Sequence, residues 1–119
     1  MVNTYIMCNK HLLGEHNEIH KAAGNIRRKR SITGYIENDC LEPRSMETRH
    51  RVLVWEMERR GFNHKSPFEQ PDLSYLPISE KFHEVNSKMS LADLLARCPK
   101  CKERYDRFVG DKQKLEESL

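Results

Sequence analysis

Two histidines and a carboxylate lie close together on the first predicted helix of this 119-residue sequence. His16 and His20 are four residues apart, so a helix places them on one face, and Glu18 lies between them in the sequence. A carboxylate can transfer protons or stabilise positive charge, and paired histidines can bind zinc. The order is not the zinc-protease pattern H-E-x-x-H, because Asn17 follows His16. We therefore predict no metal here and interpret the histidines as facing solvent or a bound partner.

Cys98 and Cys101 form a C-x-x-C element, which resembles half of a zinc knuckle. Cys8 and Cys40 could complete such a site only if the fold brought them together across a long stretch of chain. Four unevenly spaced cysteines do not resemble the disulfide framework of a small secreted domain, and the pair does not follow a βα unit as in thioredoxin-like proteins. Reduced, partly buried thiols are therefore the predicted state. A zinc-stabilised interaction domain is the alternative.

The densest run of positive charge is Arg27 to Arg30, directly after the first predicted helix. Residues 1–65 contain 12 Lys and Arg against 8 Asp and Glu, and the whole chain has a net charge of +3. Basic side chains in a row can neutralise the phosphates of a nucleic acid, although most such runs are simply solvated surface. The charge is therefore compatible with a polyanion partner but does not establish one.

Helical spacing dominates the pattern of apolar residues. Leu12, Ile19, Ala22 and Ile26 predict one buried stripe on a first helix that begins around Lys10. Alternating strand patterns are nearly absent. We therefore predict a mostly α fold, a compact single domain of three or more helices with long ordered connections.

Two further helices have recognisable ends. The first of them begins at Ser45 and ends at Gly61, and its predicted apolar side comprises Val52, Leu53, Trp55 and Met57. The next begins at Ser90, because Ser90 and Asp93 match the capping-box pattern, and Pro99 interrupts it.

The remaining segments are predicted as connections and termini. Residues 31–44 are interpreted as mostly loop, residues 62–77 as an ordered connection, and residues 102–108 as a last helical piece. We expect one helical domain over residues 1–109 and a charged, frayed tail over residues 110–119. No apolar run approaches the roughly 18 residues of a membrane span and no secretion signal is recognisable, so we predict a cytoplasmic protein of a bacterial or phage-infected cell.

Two segments of the chain carry a resemblance to a known family. His11-Leu-Leu-Gly-Glu-His-Asn-Glu18, together with Arg59-Arg-Gly-Phe-Asn-His-Lys65, resembles two signature segments of the phage-type pyrimidine-dimer DNA glycosylases, also called endonuclease V. A weaker similarity runs from Ser90 to Pro99. The resemblance as a whole extends from about Thr4 to Tyr105.

The resemblance implies a small helical DNA-repair enzyme that works without metal or cofactor. It implies that Met1 is removed, that the α-amine of Val2 is the nucleophile, and that Glu18 is the catalytic acid. Its expected partner is double-stranded DNA with damaged pyrimidines, bound by a monomer. With the basic run, it gives these candidate DNA contacts: His11, Asn17, Lys21, Arg27, Arg28, Lys29, Arg30, Asn63 and Lys65.

An α-amine suits this chemistry for a physical reason. Its reference pKa is about 8, well below the ~10.4 of lysine, so a useful fraction is an unprotonated nucleophile at neutral pH. Attack at the sugar C1′ would expel the base and leave an imine, which permits β-elimination of the 3′ phosphate. The alternative to this glycosylase and abasic-site lyase is a DNA-binding module without catalysis, whose DNA binding would be indifferent to Glu18→Gln.

Overall fold

Helices account for the regular structure of residues 1–118, which are the residues that the computed structural model describes. The helices are α1 (Asn9–Arg27), α2 (Thr33–Glu37), α3 (Met46–Arg59), α4 (Ile78–Lys81), α5 (Ser87–Arg97) and α6 (Pro99–Glu117). Two short 3-10 turns span Thr4–Ile6 and Pro43–Ser45. No strand occurs in this part of the chain, so the prediction of a mostly α, single-domain fold is confirmed.

The helix α1 buries the stripe that its apolar spacing predicts. Leu12, Ile19, Ala22 and Ile26 are all nearly inaccessible to solvent, and α1 packs against α3. Burial of a stripe at helical spacing is the main source of stability for a helix of this kind. The helix ends at Arg27, and Lys29 just beyond it has a left-handed φ of 55°.

The helix α3 has a narrower apolar face than predicted. Leu53 and Met57 are buried, but Trp55 remains 65% exposed and Val52 41% exposed. At 3.6 residues per turn, Trp55 lies about 200° around the helix axis from Leu53, so both cannot face the same neighbour. The helix ends where expected, because Gly61 has a φ of 88°, which glycine adopts without strain.

The segment of residues 31–44 is more ordered than its polar composition predicts. It contains α2 and most of the second 3-10 turn, and Ile32 at the start of α2 is completely buried. The prediction of mostly loop missed α2 there, although about half of the segment lies outside any helix, because tertiary burial stabilises a turn of helix too short to form alone. Residues 62–77 contain no helix, as predicted.

The C-terminal helices begin earlier than the capping pattern predicts. The cap of α5 is Asn86, whose side chain accepts a hydrogen bond from the Met89 amide at 3.1 Å, so the predicted start at Ser90 is wrong. Pro99 occupies the first turn of α6, where its missing N–H costs nothing. Helix α6 is longer than the predicted piece over residues 102–108, and the division into a domain and a frayed tail stays a prediction.

Helix α6 lies against the start of the chain. It packs on both α5 and the 3-10 turn Thr4–Ile6. This packing brings Cys98 and Cys101 next to Cys8. Within residues 1–118, no helix is long and apolar enough to cross a membrane.

Candidate active site

A cleft of about 420 Å³ lies beside the first residues of the chain. Its walls are formed by the N-terminal segment (residues 1–8), by helix α1, by the residues directly after α2, and by helix α5. Val2, His11, Glu18 and Cys40 line it, together with the cationic side chains of Lys10 and Arg97. Gly14 also lies on this wall, and with no side chain it keeps the cleft open over α1.

The start of the chain is fixed at one side of this cleft. The α-amine of Met1 donates a hydrogen bond to Ser87 Oγ at 2.6 Å, at the beginning of α5. Val2 is half-buried and packs against the hydrophobic core. The first residues therefore fold back onto the body of the protein and enter the cleft.

Two arginines hold the N-terminal segment in this path. Arg60 donates hydrogen bonds to the carbonyl oxygens of Thr4 at 3.1 Å and Tyr5 at 3.2 Å. Arg104 of α6 donates to the same Tyr5 carbonyl oxygen at 2.8 Å. Because arginine presents several donors in one plane, it can fix a turn of backbone from outside.

Arg60 is itself held by a fully buried carboxylate, Glu56. The two side chains lie 2.9 Å apart, and Arg59 approaches the same carboxylate at 2.6 Å. Burial alone would raise the pKa of Glu56, but the hydrogen bonds and charges of Arg59 and Arg60 outweigh it and hold that pKa below its usual value. The sequence analysis missed this group, although an acid three and four residues before two arginines is a recognisable pattern for ion pairs on a helix.

Glu18 reaches the cleft as an exposed side chain of α1. Its neighbour Glu15 is neutralised by Arg49, which donates hydrogen bonds to both carboxylate oxygens. Among the described residues, Glu18 makes no such ion pair, not even with Lys21 one turn further along α1. Its charge therefore remains available to a ligand.

Cys40 is the residue that contacts Glu18. Its Sγ lies 3.7 Å from Glu18 Oε1 and 3.3 Å from the Tyr35 carbonyl oxygen, and its single S–H can donate to either. Burial, and then the negative charge of Glu18, raise the pKa of Cys40 to about 11. The thiol therefore stays protonated at neutral pH and can act as a weak donor to the carboxylate.

Most of the predicted DNA contacts are exposed side chains on α1 or in the segments that follow α1 and α3. Asn17 and Lys21 are exposed on α1, and Asn63 and Lys65 are exposed after α3. Arg28, Lys29 and Arg30 are exposed beyond the end of α1, roughly 15 Å along the axis from Glu18.

Arg27 and His11 have protein partners. Arg27 donates to the Glu69 carbonyl oxygen at 2.6 Å. The His11 ring lies between sulfurs, with Nδ1 at 3.2 Å from Cys8 Sγ and 3.6 Å from Cys101 Sγ. Burial, followed by the charges of Arg97 and Lys10, lowers the pKa of His11.

His16 and His20 of α1 do not both face solvent. His16 is only 6% exposed, which corrects the interpretation of this side chain as solvent-facing or partner-facing. The reason is that His50 of α3 and His64 of the following connection pack over it, with ring centroids 5.0 and 4.9 Å away. Helical spacing does not predict these neighbours, because they come from distant parts of the sequence.

Comparison with known proteins supplies one finding. Residues 2–70, more than half of the chain, match a family model described as pyrimidine dimer DNA glycosylase. The matched range contains the N-terminal segment, all of α1 and α3, and both segments that carry the resemblance. Searches against curated proteins and against solved structures gave no match.

Proposed function

The chain belongs to the pyrimidine dimer DNA glycosylase family, and from that premise we propose that it excises damaged pyrimidines through an imine formed by its own α-amine. Removal of Met1 exposes the amine of Val2, which attacks C1′ of the damaged nucleotide. Glu18 is the catalytic acid, and the covalent intermediate also gives the enzyme abasic-site lyase activity.

One observation supports this proposal above the others. The first residues of the chain and the carboxylate of Glu18 line the same cleft, although 16 positions of sequence separate Val2 from Glu18. The carboxylate has no cationic partner among the described residues, whereas the adjacent Glu15 has one. A nucleophile and an unpaired acid at one opening are the minimum that this chemistry needs.

The reaction proceeds in two bond-breaking stages. The amine nitrogen forms a bond to C1′ while the bond from C1′ to the base breaks, and the base leaves with the electron pair and takes up a proton. Loss of the amine protons and opening of the sugar ring give the imine. This group acidifies C2′, so removal of a C2′ proton expels the 3′ phosphate and nicks the strand.

Glu18 acts where charge and protons move. As a carboxylate it stabilises the positive charge that grows on the sugar, and it transfers protons during ring opening. Cys40 steadies the carboxylate through its thiol without neutralising it. Lys10 places positive charge in the same cleft, where a phosphate of the bound strand can lie, whereas Arg97 is paired with Asp93 at 2.9 Å.

DNA binding uses the exposed basic surface along and beyond α1. Lys21, Arg28, Lys29 and Arg30 contact phosphates, and Asn17, Asn63 and Lys65 are further contacts to the duplex. Arg27 supports the connection over α1 through its bond to the backbone of Glu69. The damaged nucleotide must leave the stack to reach the cleft, which costs less at a poorly stacked lesion.

Borohydride trapping tests the mechanism. Reduction in the presence of an abasic-site duplex is expected to give a stable protein–DNA adduct on the N-terminal peptide, identified by mass spectrometry. Acetylation of the N-terminus should abolish the adduct. Undiminished trapping by the acetylated protein, or an adduct on a lysine, would refute the α-amine as nucleophile.

Glu18→Gln tests the acid with ultraviolet-irradiated duplex as substrate. Excision should fall by at least about 100-fold, as expected for loss of a catalytic proton-transfer group. Glu58→Gln is the matched control, because Glu58 is an exposed acid on α3 that does not line the cleft. Equal excision by both variants would remove Glu18 from the mechanism, and binding without any excision by the unaltered protein would favour the non-catalytic module.

A further inference from the structure

Four potential metal ligands meet where the N-terminal segment joins α6. They are Cys8, His11, Cys98 and Cys101, and one donor atom from each lies within 4.8 Å of all the others. The three cysteines are buried, and none forms a disulfide. The fold thus places the C-x-x-H pair, Cys8 and His11, next to the C-x-x-C pair, Cys98 and Cys101.

The spacing of the donor atoms is close to that of a tetrahedral zinc site. Cys8 Sγ lies 3.9 Å from Cys98 Sγ, and His11 Nδ1 lies 3.6 Å from Cys101 Sγ. Zinc with bond lengths of about 2.3 Å to sulfur and about 2.05 Å to nitrogen separates two sulfurs by roughly 3.8 Å and sulfur from nitrogen by roughly 3.5 Å. Donors at such separations need little movement to enclose an ion.

Backbone amides around the cluster are arranged to stabilise thiolates. The Cys8 amide donates to Cys101 Sγ at 3.2 Å, and the Cys101 amide donates to Cys98 Sγ at 3.4 Å. Hydrogen bonds from N–H groups favour the ionised form of a sulfur ligand. Several thiolates in one buried site repel each other unless a cation lies between them.

We propose that Cys8, His11, Cys98 and Cys101 bind one zinc ion as a closed, tetrahedral structural site. This replaces the prediction of a metal-free protein. The sequence analysis recognised the C-x-x-C half and considered Cys8 and Cys40 as its partners, but only Cys8 lies at the cluster, and Cys40 contacts Glu18. The missing ligand is His11, which had been assigned to DNA binding.

The ion would join parts of the chain that are distant in sequence. Its ligands come from the start of α1, from the residue between α5 and α6, and from the first turn of α6. It therefore fixes the segment that leads to Val2, and this positioning role, unlike the metal site itself, rests on the proposed function.

Metal content gives the first test. Protein purified under reducing conditions from zinc-supplemented cells should contain zinc, and Cys98→Ser or Cys101→Ser should lose one equivalent. Cys40→Ser is the matched control for metal content and should lose none. Full zinc retention by both cluster variants, or a Cys8–Cys98 disulfide in freshly prepared protein, would overturn the proposal.

Cobalt substitution keeps the test independent of whether a variant folds. Co²⁺ in the unaltered protein should give the intense visible bands of a tetrahedral site and thiolate-to-cobalt charge-transfer absorption. Spectra without the thiolate bands would overturn the site. Since neither readout measures DNA cleavage, failure of the repair activity would leave the zinc site standing, and the reverse also holds.

A second cluster, of histidines alone, carries an independent inference. His16 and His20 of α1, His50 of α3 and His64 present one ring nitrogen each, all within 4.8 Å of one another. The Nε2 atoms of His20 and His50 lie 3.1 Å apart. The Nε2 atoms of His16 and His64 are buried, and among the described residues they have no hydrogen-bond partner.

Unpartnered buried nitrogens that face other nitrogens point to a ligand with positive charge. A water molecule could satisfy such nitrogens only in part, whereas a metal ion accepts electron pairs from all four imidazoles. Imidazole suits zinc and its neighbours in the transition series, and the four nitrogens leave no open position in a tetrahedral site. We infer that this histidine cluster binds a second zinc ion with a structural role.

The number of zinc ions bound per chain tests the two sites separately. The unaltered protein should hold two zinc ions per chain, and His50→Gln should lose one while its cobalt form keeps the thiolate bands of the cysteine site. His83→Gln is the matched control, because His83 belongs to neither cluster and pairs with Asp39. A single zinc ion in the unaltered protein, or unchanged content in His50→Gln, would overturn the second site.

Discussion

At the scale of single residues, the state of the acid in the cleft depends on its immediate neighbours. Glu15 and Glu18 lie one turn apart on α1, but only Glu15 is paired with an arginine. Glu18 instead contacts a protonated thiol. A thiol can polarise a carboxylate without neutralising its charge. Glu18 therefore keeps a negative charge that is available to a ligand, whereas the charge of Glu15 is neutralised by its arginine.

This contact makes Cys40 a reporter of the charge on Glu18. Burial and then Glu18 raise the pKa of Cys40, so Glu18→Gln removes the second cause and should lower that pKa. More thiolate at pH 9 means faster alkylation of Cys40 by iodoacetamide, measured on its tryptic peptide. Glu58→Gln should react like the unaltered protein. Equal rates in all three proteins would show that the two side chains do not interact.

Sequence reasoning identified some of these residues and not others. Glu18 and Val2 came from the family resemblance that two short segments carry, and they line one cleft. Cys40 was out of reach, because its contact joins α1 to a segment 22 positions later. Burial of His16 was missed for the same reason, since spacing along one helix says nothing about what covers it.

At the scale of elements, the end of α3 supports the N-terminal segment. Glu56 positions Arg60, and Arg60 binds two carbonyl oxygens of the first 3-10 turn. A buried carboxylate that holds an arginine is a poor source of net stability but is costly to break. The end of α3 therefore holds in place the first 3-10 turn, which leads to the residues that line the cleft.

Replacing Glu56 with glutamine should destabilise the fold. The buried arginine interactions lose their counter-charge, so the free energy of unfolding should fall by about 2–4 kcal/mol in urea denaturation. Glu58→Gln, two positions along the same helix and exposed, should change it by less than about 0.5 kcal/mol. Comparable losses in the two variants would contradict the support role of Glu56.

The pKa of Glu56 also predicts a pH dependence. A carboxyl whose pKa is lowered on folding contributes stability that is present above its unfolded pKa, about 4.3, and is lost as pH falls through its folded pKa. The difference in unfolding free energy between the unaltered protein and Glu56→Gln should therefore shrink below about pH 4. A constant difference from pH 7 to pH 3 would contradict it.

The two faces of α3 should respond differently to truncation. Leu53→Ala removes a side chain with no exposed surface and should cost about 2–5 kcal/mol. Trp55→Ala removes a larger side chain that is 65% exposed and should cost less than about 1 kcal/mol. Urea denaturation measures both, and a larger loss from Trp55→Ala would contradict the orientation of α3.

The main helices were predictable because their apolar spacing is regular and their ends carry strong signals. Gly61 ends α3 through its positive φ, and Pro99 separates α5 from α6. The short helix α2 was not predictable, because burial of Ile32 rather than local preference stabilises it. The start of α5 was misplaced because Asn86, a good cap by itself, precedes a second plausible signal at Ser90.

At the scale of the whole molecule, the basic surface and the cleft lie along the same helix. Arg28, Lys29 and Arg30 follow α1, and Glu18 lies near its middle. Under the proposed function, a duplex laid along this helix would touch the basic residues after α1 while one nucleotide enters the cleft. The basic run in the sequence predicted the positive charge, and the fold shows that this charge follows the helix that carries Glu18.

Binding should reveal this surface through its salt dependence. Arg28→Ala should weaken binding to damaged and undamaged duplexes alike and reduce the slope of log affinity against log salt by about 1. Lys112→Ala removes an exposed charge near the far end of α6 and should leave the slope unchanged. Fluorescence anisotropy measures both, and equal slopes in the two variants would move the interface elsewhere.

The bond from Arg104 to the Tyr5 carbonyl oxygen spans 99 positions of sequence. During translation, the segment around Tyr5 therefore leaves the ribosome long before the helix that clamps it has been made. Under the proposed function the catalytic end is synthesised early and clamped late, so a nascent chain would stay inactive until Arg104, in the second turn of α6, has emerged.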